Sequence, residues 1–287
     1  MLNMNIKTAT CLLALFLSAK INGQSLCWEI SGNKLKQSSF LYGTMHSADK
    51  RVFNLSESCK KAFESAEVYT MEIDPAKINA LSLLSEIMGD GKHSLKKELS
   101  PDGYNLLDST VNAKTGLSLS LFDKMQPIII QALISMPDGD KTKDSSGLFL
   151  DLYFYKMAQE KGKKITGVET VNEQIKALNT LNYQDQITLL LKDLKEQKDS
   201  KDDFENMMRQ YVNASLDSLL MMSDELQMPA QFNKVLLTDR NLRMADRISK
   251  MIAKESHFIG IGAMHLPGTE GVIELLRKKG FTVKPIK

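Results

Sequence analysis

The feature that most constrains this chain is a pair of matching tetrapeptides near its two ends, Gly43-Thr44-Met45-His46 and Gly262-Ala263-Met264-His265. Each follows an apolar stretch, Phe40-Leu41-Tyr42 in the first case and Phe258-Ile259-Gly260-Ile261 in the second. A short apolar run closed by glycine reads as a buried strand ending in a turn. Open α/β sheets bind ligands at the carboxyl ends of their strands, and glycine permits a tight turn that lifts a side chain over that edge. With only four histidines in the sequence, two in one setting read as an internal structural repeat whose strands converge on a single site. One such histidine alone would be accounted for as a turn or core residue. The matched pair instead predicts His46 and His265 as metal ligands or proton carriers. His93, in a polar stretch, and His257, at the start of a strand, are expected to be structural or surface residues.

The rest of the chain supplies an α/β frame for these turns. Strands are expected at Cys27 to Ser31 and Ser39 to Gly43, joined by a turn at Gly32-Asn33-Lys34, then a helix from Ser56 to Ala66 and a strand from Glu67 to Ile73. Pro75 is read as opening another helix. In the middle, Ser100-Pro101 marks a helix start and Gly116 and Gly162 mark helix ends. Apolar helices are expected over Leu119 to Met136 and Leu148 to Lys161, with a turn-rich break from Pro137 to Ser146. A strand over Lys163 to Val168 precedes helices at Asn172 to Leu194, Asp202 to Gln227 and Ala230 to Lys254. The dense charge from Lys192 to Asp203 reads as a solvated helix pair. Strand His257 to Ile261, a helix from Gly268 to Lys279 and a last strand at Phe281 to Pro285 close the chain. The expected fold is therefore α/β, with a central, mostly parallel sheet formed by the N- and C-terminal segments and a helical region, roughly 100–230, covering it.

Met1 to Gln24 has Lys7 in a short polar head, an apolar run from Thr10 to Ala19 and small residues before Ser25, the layout of a secretory signal peptide. Cleavage is expected near Gly23, with Ala19 as the second choice. The run is too short for a bilayer span, although an uncleaved anchor is the alternative, and no later stretch is long enough to span. Residues 24–287 would then form a single exported domain, periplasmic or extracellular. Lys7 and Lys20 leave with the signal, so the 37 basic residues fall to 35, against 35 acidic ones. That balance offers no electrostatic case for nucleic acid or anionic lipid. Cys27 and Cys59 remain, either paired in an oxidising compartment or as two separate buried thiols.

Two acids and an arginine are candidates to join the histidines. Glu72 follows Tyr69-Thr70-Met71 at a strand end, on the same sheet edge as His46, where a carboxylate can ligate a cation or act as a general base. Glu169 ends another strand before a helix, a position that equally suits an acid stabilising a helix start. Arg240 lies in a helix and could pair with a carboxylate or hold a substrate oxyanion through its planar fork; spacing alone would make it a surface ion pair. Met45 and Met264, beside the histidines, could serve as soft contacts to haem or copper if the site only binds. The sixteen methionines as a group read as core filler.

Taken in order, Phe40-Leu41-Tyr42-Gly43-Thr44-Met45-His46, Met71-Glu72-Ile73-Asp74, Gly167-Val168-Glu169-Thr170 with Glu173-Gln174, Asp239-Arg240-Asn241 with Met244-Ala245, and Gly260-Ile261-Gly262-Ala263-Met264-His265-Leu266-Pro267-Gly268 resemble the TraB/GumN family. That family looks related to the Tiki proteins, membrane-anchored metal-dependent proteases of animals, and more distantly to erythromycin esterase and ChaN-like proteins. The resemblance implies one site gathering His46, Glu72, Glu169, Arg240 and His265. It also implies a divalent metal such as manganese or cobalt, and the donor types suit zinc as well. His46, His265 and Glu72 would hold or flank the metal, with Glu72, Glu169 and Arg240 in catalytic roles. The expected activity is hydrolysis of a peptide or amide bond. The alternative is a non-catalytic binding protein of the same fold, for haem or a peptide signal.

Overall fold

The computed structural model describes residues 25–88, 91–135, 148–196, 200–225 and 229–287. Strands β1 (Cys27–Gly32), β2 (Ser39–Thr44), β3 (Val68–Ile73), β4 (Lys164–Glu169), β5 (His257–Gly262) and β6 (Phe281–Ile286) form one sheet in the order β4-β3-β5-β2-β1-β6. β4, β3, β5 and β2 are parallel, while β1 runs antiparallel to both β2 and β6. The fold is α/β, with five strands drawn from the two ends of the chain and β4 from its middle. Segment 1–24 and the turn-rich stretch Pro137 to Ser146 lie outside the described residues.

Strand composition follows position in the sheet. In central β5 every residue but the last is buried, as expected for a parallel strand covered on both faces. Edge strand β6 alternates, with Phe281 and Val283 buried and Thr282 and Lys284 exposed. Helices α1 (Glu57–Ser65) and α6 (Leu150–Glu160) bring Phe63 and Phe154 against Tyr69 and Phe258 of the sheet, with ring centroids 5.2–6.5 Å apart. All four rings are fully buried, and burial of each such side chain stabilises the fold by about 1.5–3 kcal/mol. The Ser56 hydroxyl caps α1 by accepting from the Cys59 N–H. Between these elements lie α2 (Ala80–Met88), α3 (Leu95–Glu98), α4 (Pro101–Thr115) and α5 (Pro127–Ser135). Then come α7 (Val171–Leu178), α8 (Tyr183–Glu196), α9 (Ser200–Val212), α10 (Leu216–Glu225), α11 (Ala230–Asn233), α12 (Asp239–Ile252) and α13 (Val272–Lys278). Helices α3, α4, α5 and α8 enclose their own apolar cluster, including Leu95, Leu107, Ile130 and Leu190. No helix among the described residues is long and apolar enough to cross a membrane.

Several expected helices prove shorter. Leu119 to Met136 splits into a 3-10 turn at Leu119–Phe122 and α5, because Pro127 cannot continue a helix. Pro75 opens only a 3-10 turn, Pro75–Lys77, before α2. Asn172 to Leu194 divides into α7 and α8, and Asp202 to Gln227 into α9 and α10, where Ala214 takes a left-handed φ of 54°. The helix expected from Gly268 begins at Val272, with Gly268 at φ 83° in the preceding turn. Ala230 to Lys254 is interrupted by a π-type turn at Lys234–Thr238, just before Arg240. Gly116 does cap α4, at φ 73°. Cys27 and Cys59 are free, buried thiols. Their mutual hydrogen bond, together with burial, pushes the Cys27 thiol pKa up.

Candidate active site

The carboxyl ends of β2, β3, β4 and β5 lie side by side, which places Thr44, Ile73, Glu169 and Gly262 along one edge. β5 comes from the far end of the chain yet lies between β3 and β2, so this edge also carries the change of strand order that opens a ligand crevice in α/β sheets. The two Gly-x-Met-His turns meet there. A Cβ on Gly43 would lie 2.9 Å from Leu266 Cδ1 and 3.1 Å from Ala263 Cα. A Cβ on Gly262 would lie 3.2 Å from Glu72 Oε1. Neither glycine has a positive φ. Their smallness therefore serves close approach between the turns and of a carboxylate to backbone, rather than the tight backbone turn expected from sequence.

Glu72 stands at the centre. Its Oε1 accepts from the Gly262 N–H at 2.8 Å and lies 3.9 Å from His265 Nε2. Its Oε2 accepts from Arg240 Nη2 at 2.8 Å and from Gln174 Nε2 at 2.7 Å. Arg240 also donates through Nε to Glu169 Oε2 at 2.9 Å, and Nη2 lies 2.8 Å from the same oxygen. One guanidinium thus joins both acids, and its Nη1 reaches back to the Leu236 carbonyl in the π-type turn at 3.4 Å. The Glu169 side chain is fully buried, and Arg243 Nη2 lies 3.4 Å from its Oε1. A π-type turn adds a residue to the helix and re-aims the side chains beyond it, a device found frequently at functional sites.

The histidines are held differently. His265 is buried, with Nδ1 2.6 Å from Asn241 Oδ1. An amide oxygen only accepts, so Nδ1 carries the proton, and in the neutral ring the Nε2 lone pair faces the Glu72 carboxylate with no hydrogen bond between the two acceptors. His46 has 70% of its side chain exposed, and its Nδ1 lies 2.8 Å from Asp151 Oδ2. Asp151, on α6, is buried, and its Oδ1 accepts from Thr44 Oγ1 at 2.5 Å. His46 makes no direct contact with the Glu72 cluster among the hydrogen bonds and ion pairs found there, and acts on it through charge.

Electrostatics separate these groups. Burial works against ionisation of Glu72, but charge on His265 and Arg240 and the Gly262 N–H outweigh it and hold the pKa at about 2. For His265, burial outweighs the pull of Glu72 and the pKa is lowered. Where His265 is neutral its share of that pull is withdrawn, and Arg240 with the Gly262 N–H still act to lower the Glu72 pKa. His46 is shifted the other way, its pKa raised by the contact with Asp151.

Glu72, Glu169, Arg240 and His265 thus form one cluster, with His46 beside it on its own partner. Asp151, Asn241, Gln174 and Arg243 are participants that sequence reasoning misses. Gln174 and Asn241 sit inside the family-like motifs, but a polar residue on a helix carries no signal of its direction. Asp151 opens a helix, where an acid needs no further reason. His257 is buried, as a structural histidine should be, with Nδ1 2.7 Å from Thr70 Oγ1. His93 stacks on Tyr183. Met45 packs against the core and Met264 is exposed.

The model of the TraB/PrgY/gumN family matches residues 26–285. The chain belongs to that family. Among curated relatives it is similar to Metalloprotease TIKI1 of Danio rerio, with 26% identity over 91% of this chain and 63% of that protein. It is also similar to Metalloprotease TIKI1 of Homo sapiens, 23% identical over 91% of this chain and 61% of that protein. An uncharacterized protein of Treponema pallidum is 24% identical, covering 89% of this chain and 81% of that one. The chain thus spans about three-fifths of the length of these metalloproteases. No solved structure matches it. Glu72, Glu169, Arg240 and His265, which meet at the sheet edge, all lie within the matched span.

A metal implied by relatives of this family can be tested against the residues present. The donor types fit: two imidazoles, each with Nδ1 already engaged, and an ionised carboxylate that faces one of them. Tying Nδ1 to a side-chain oxygen is how metal-binding histidines are commonly oriented. The 3.9 Å between Glu72 Oε1 and His265 Nε2 exceeds the roughly 3.4 Å between two tetrahedral ligands each about 2.1 Å from one ion, so the pair would have to close slightly to share it. Among the described residues, however, no three His, Cys, Asp or Glu side chains stand together as a group that could hold a metal. The arrangement offers a facing pair, with His46 as a third donor that would have to turn toward it.

Proposed function

We propose that this chain is an exported metal-dependent hydrolase acting on a peptide or amide bond. The observation that carries the proposal is the facing pair Glu72 and His265 at the sheet edge, with Oε1 and Nε2 3.9 Å apart. His265, Glu72 and His46 would hold a divalent ion, manganese, cobalt or zinc. Such an ion supplies Lewis-acid charge at a carbonyl oxygen.

The protein's own residues do the rest. Gly262 and Gln174 fix the Glu72 carboxylate, so that it can ligate or accept a proton without losing its orientation. Glu169 anchors Arg240 through its Nε. Arg240 stabilises Glu72 as an anion, and the Nη1 edge, with its long bond to Leu236, is the side from which it can meet negative charge developing on a substrate. The metalloprotease relatives support a hydrolytic class, and the apolar run at Thr10 to Ala19 supports export.

Two observations favour the binding alternative: both acids are already paired with a guanidinium, and three ligands do not stand preassembled among the described residues. The test is cleavage of a peptide library by the purified protein, with and without EDTA and with manganese restored. The hydrolase reading expects cleavage that EDTA abolishes and that His46→Ala and His265→Ala remove. A protein that cuts nothing, with both variants behaving as the parent does, contradicts it in favour of a binding protein.

A further inference from the structure

Asp151 needs an explanation that the fold does not supply. It is 6% exposed, and its ion-pair partner is the exposed His46. Its place in the first turn of α6 would suit an acid favouring the helix dipole. Yet neither carboxylate oxygen accepts from a helix N–H among the hydrogen bonds of α6; one goes to Thr44 and the other points at His46. Oδ2 is buried without an aligned hydrogen bond, its close polar neighbour being the His46 ring nitrogen at 2.8 Å. A buried acceptor in that state calls for a donor, and the imidazole N–H is the donor at hand.

The surroundings fix the carboxylate, not the ring. Thr44 pins Oδ1, Tyr69 OH donates to the Asp151 carbonyl at 3.2 Å, and the Leu150 N–H bonds to the Ser47 carbonyl at 3.3 Å, docking the start of α6 on the loop that carries His46. An amide oxygen would accept from Thr44 equally well, so that bond does not by itself call for a charged residue.

We propose that Asp151 is a positioning residue for His46, fixing the ring proton on Nδ1 and leaving Nε2 as the acceptor. This deepens the hydrolase reading by giving His46 its orientation from the helical layer, as Asn241 does for His265. Once the ring is neutral, or an ion displaces the Nε2 proton, that nitrogen is presented without first rearranging.

The proton's position is directly observable. The purified protein, treated with chelator and labelled with 15N-histidine, is recorded by long-range 1H–15N correlation at alkaline pH, where the ring is neutral, and His46 is assigned by its loss in His46→Gln. The wild type is expected as the Nδ1–H tautomer. In Asp151→Asn, with the amide oxygen kept on Thr44, the NH2 faces Nδ1 and the preference should reverse to Nε2–H. Thr44→Val, which releases Oδ1, should weaken the preference without reversing it, and circular dichroism confirms that each variant is folded. An Nε2–H ring in the wild type, or a tautomer unchanged in folded Asp151→Asn, overturns the proposal. Where peptide cleavage is measured, Asp151→Asn should lower kcat by about 10- to 100-fold with little change in KM. A wild type with an Asp151-dependent tautomer that cleaves nothing keeps the positioning role and removes the hydrolase reading alone.

Discussion

Replacing Arg240 with methionine should reveal how much the cluster depends on one guanidinium. Arg240 is 11% exposed and bridges Glu72, 13% exposed, and Glu169, whose side chain is fully buried. Removing one partner of a buried ion pair costs about 3–5 kcal/mol, because the other charge stays buried and uncompensated. The depressed Glu72 pKa points the same way, Arg240 being one of the groups that lower it, beside His265 and the Gly262 N–H. Gln174 and Arg243 remain to soften the loss, so the lower end is expected, about 3 kcal/mol. For a domain of this size that is about 6–12 °C in Tm. The sign with pH comes from the depressed folded-state pKa. The Glu72 contribution is fully present above about pH 4.5 and is lost as pH falls toward about 2, so the variant should also unfold at a higher pH than the parent. Urea denaturation at pH 7 of Arg240→Met, Glu169→Gln and the double variant measures the coupling. A loss below about 1 kcal/mol, or strictly additive single effects, would refute the picture of one guanidinium serving two buried acids.

Two further substitutions probe the same edge. Gly43→Ala puts a Cβ against Leu266 and the Ala263 backbone and should cost about 1–3 kcal/mol as the turns are forced apart; an unchanged Tm would mean that they are not in contact. Asn241→Ala releases His265 Nδ1 and should weaken manganese binding by about 10- to 100-fold, read by calorimetric titration; unchanged affinity would show that the ring needs no such partner.

The sheet is legible in the sequence because its strands are short apolar runs bounded by turn residues, and the repeated Gly-x-Met-His falls at two of their ends. The glycines of that repeat serve a different physical end from the one the sequence suggests: close approach between segments 190 or more residues apart leaves no local mark, whereas a turn does. Helix lengths are overread where Pro127 and the Ala214 turn interrupt apolar periodicity. Arg240 can be named as a partner for a carboxylate, but its service to two acids depends on the π-type turn at Lys234–Thr238, a backbone feature with no composition cue in Lys-Val-Leu-Leu-Thr. Asp151 and Asn241 escape notice because what marks them is the nitrogen they touch, and tertiary packing alone decides that.

The central claim is that Glu72 and His265 form part of a metal site. Calorimetric titration of manganese into the chelator-treated protein, beside Glu72→Gln and His265→Ala, tests it most directly. Saturable binding to the parent, weakened in both variants while their folds persist, is the predicted result. No binding to the parent, or equal binding to all three, would contradict it.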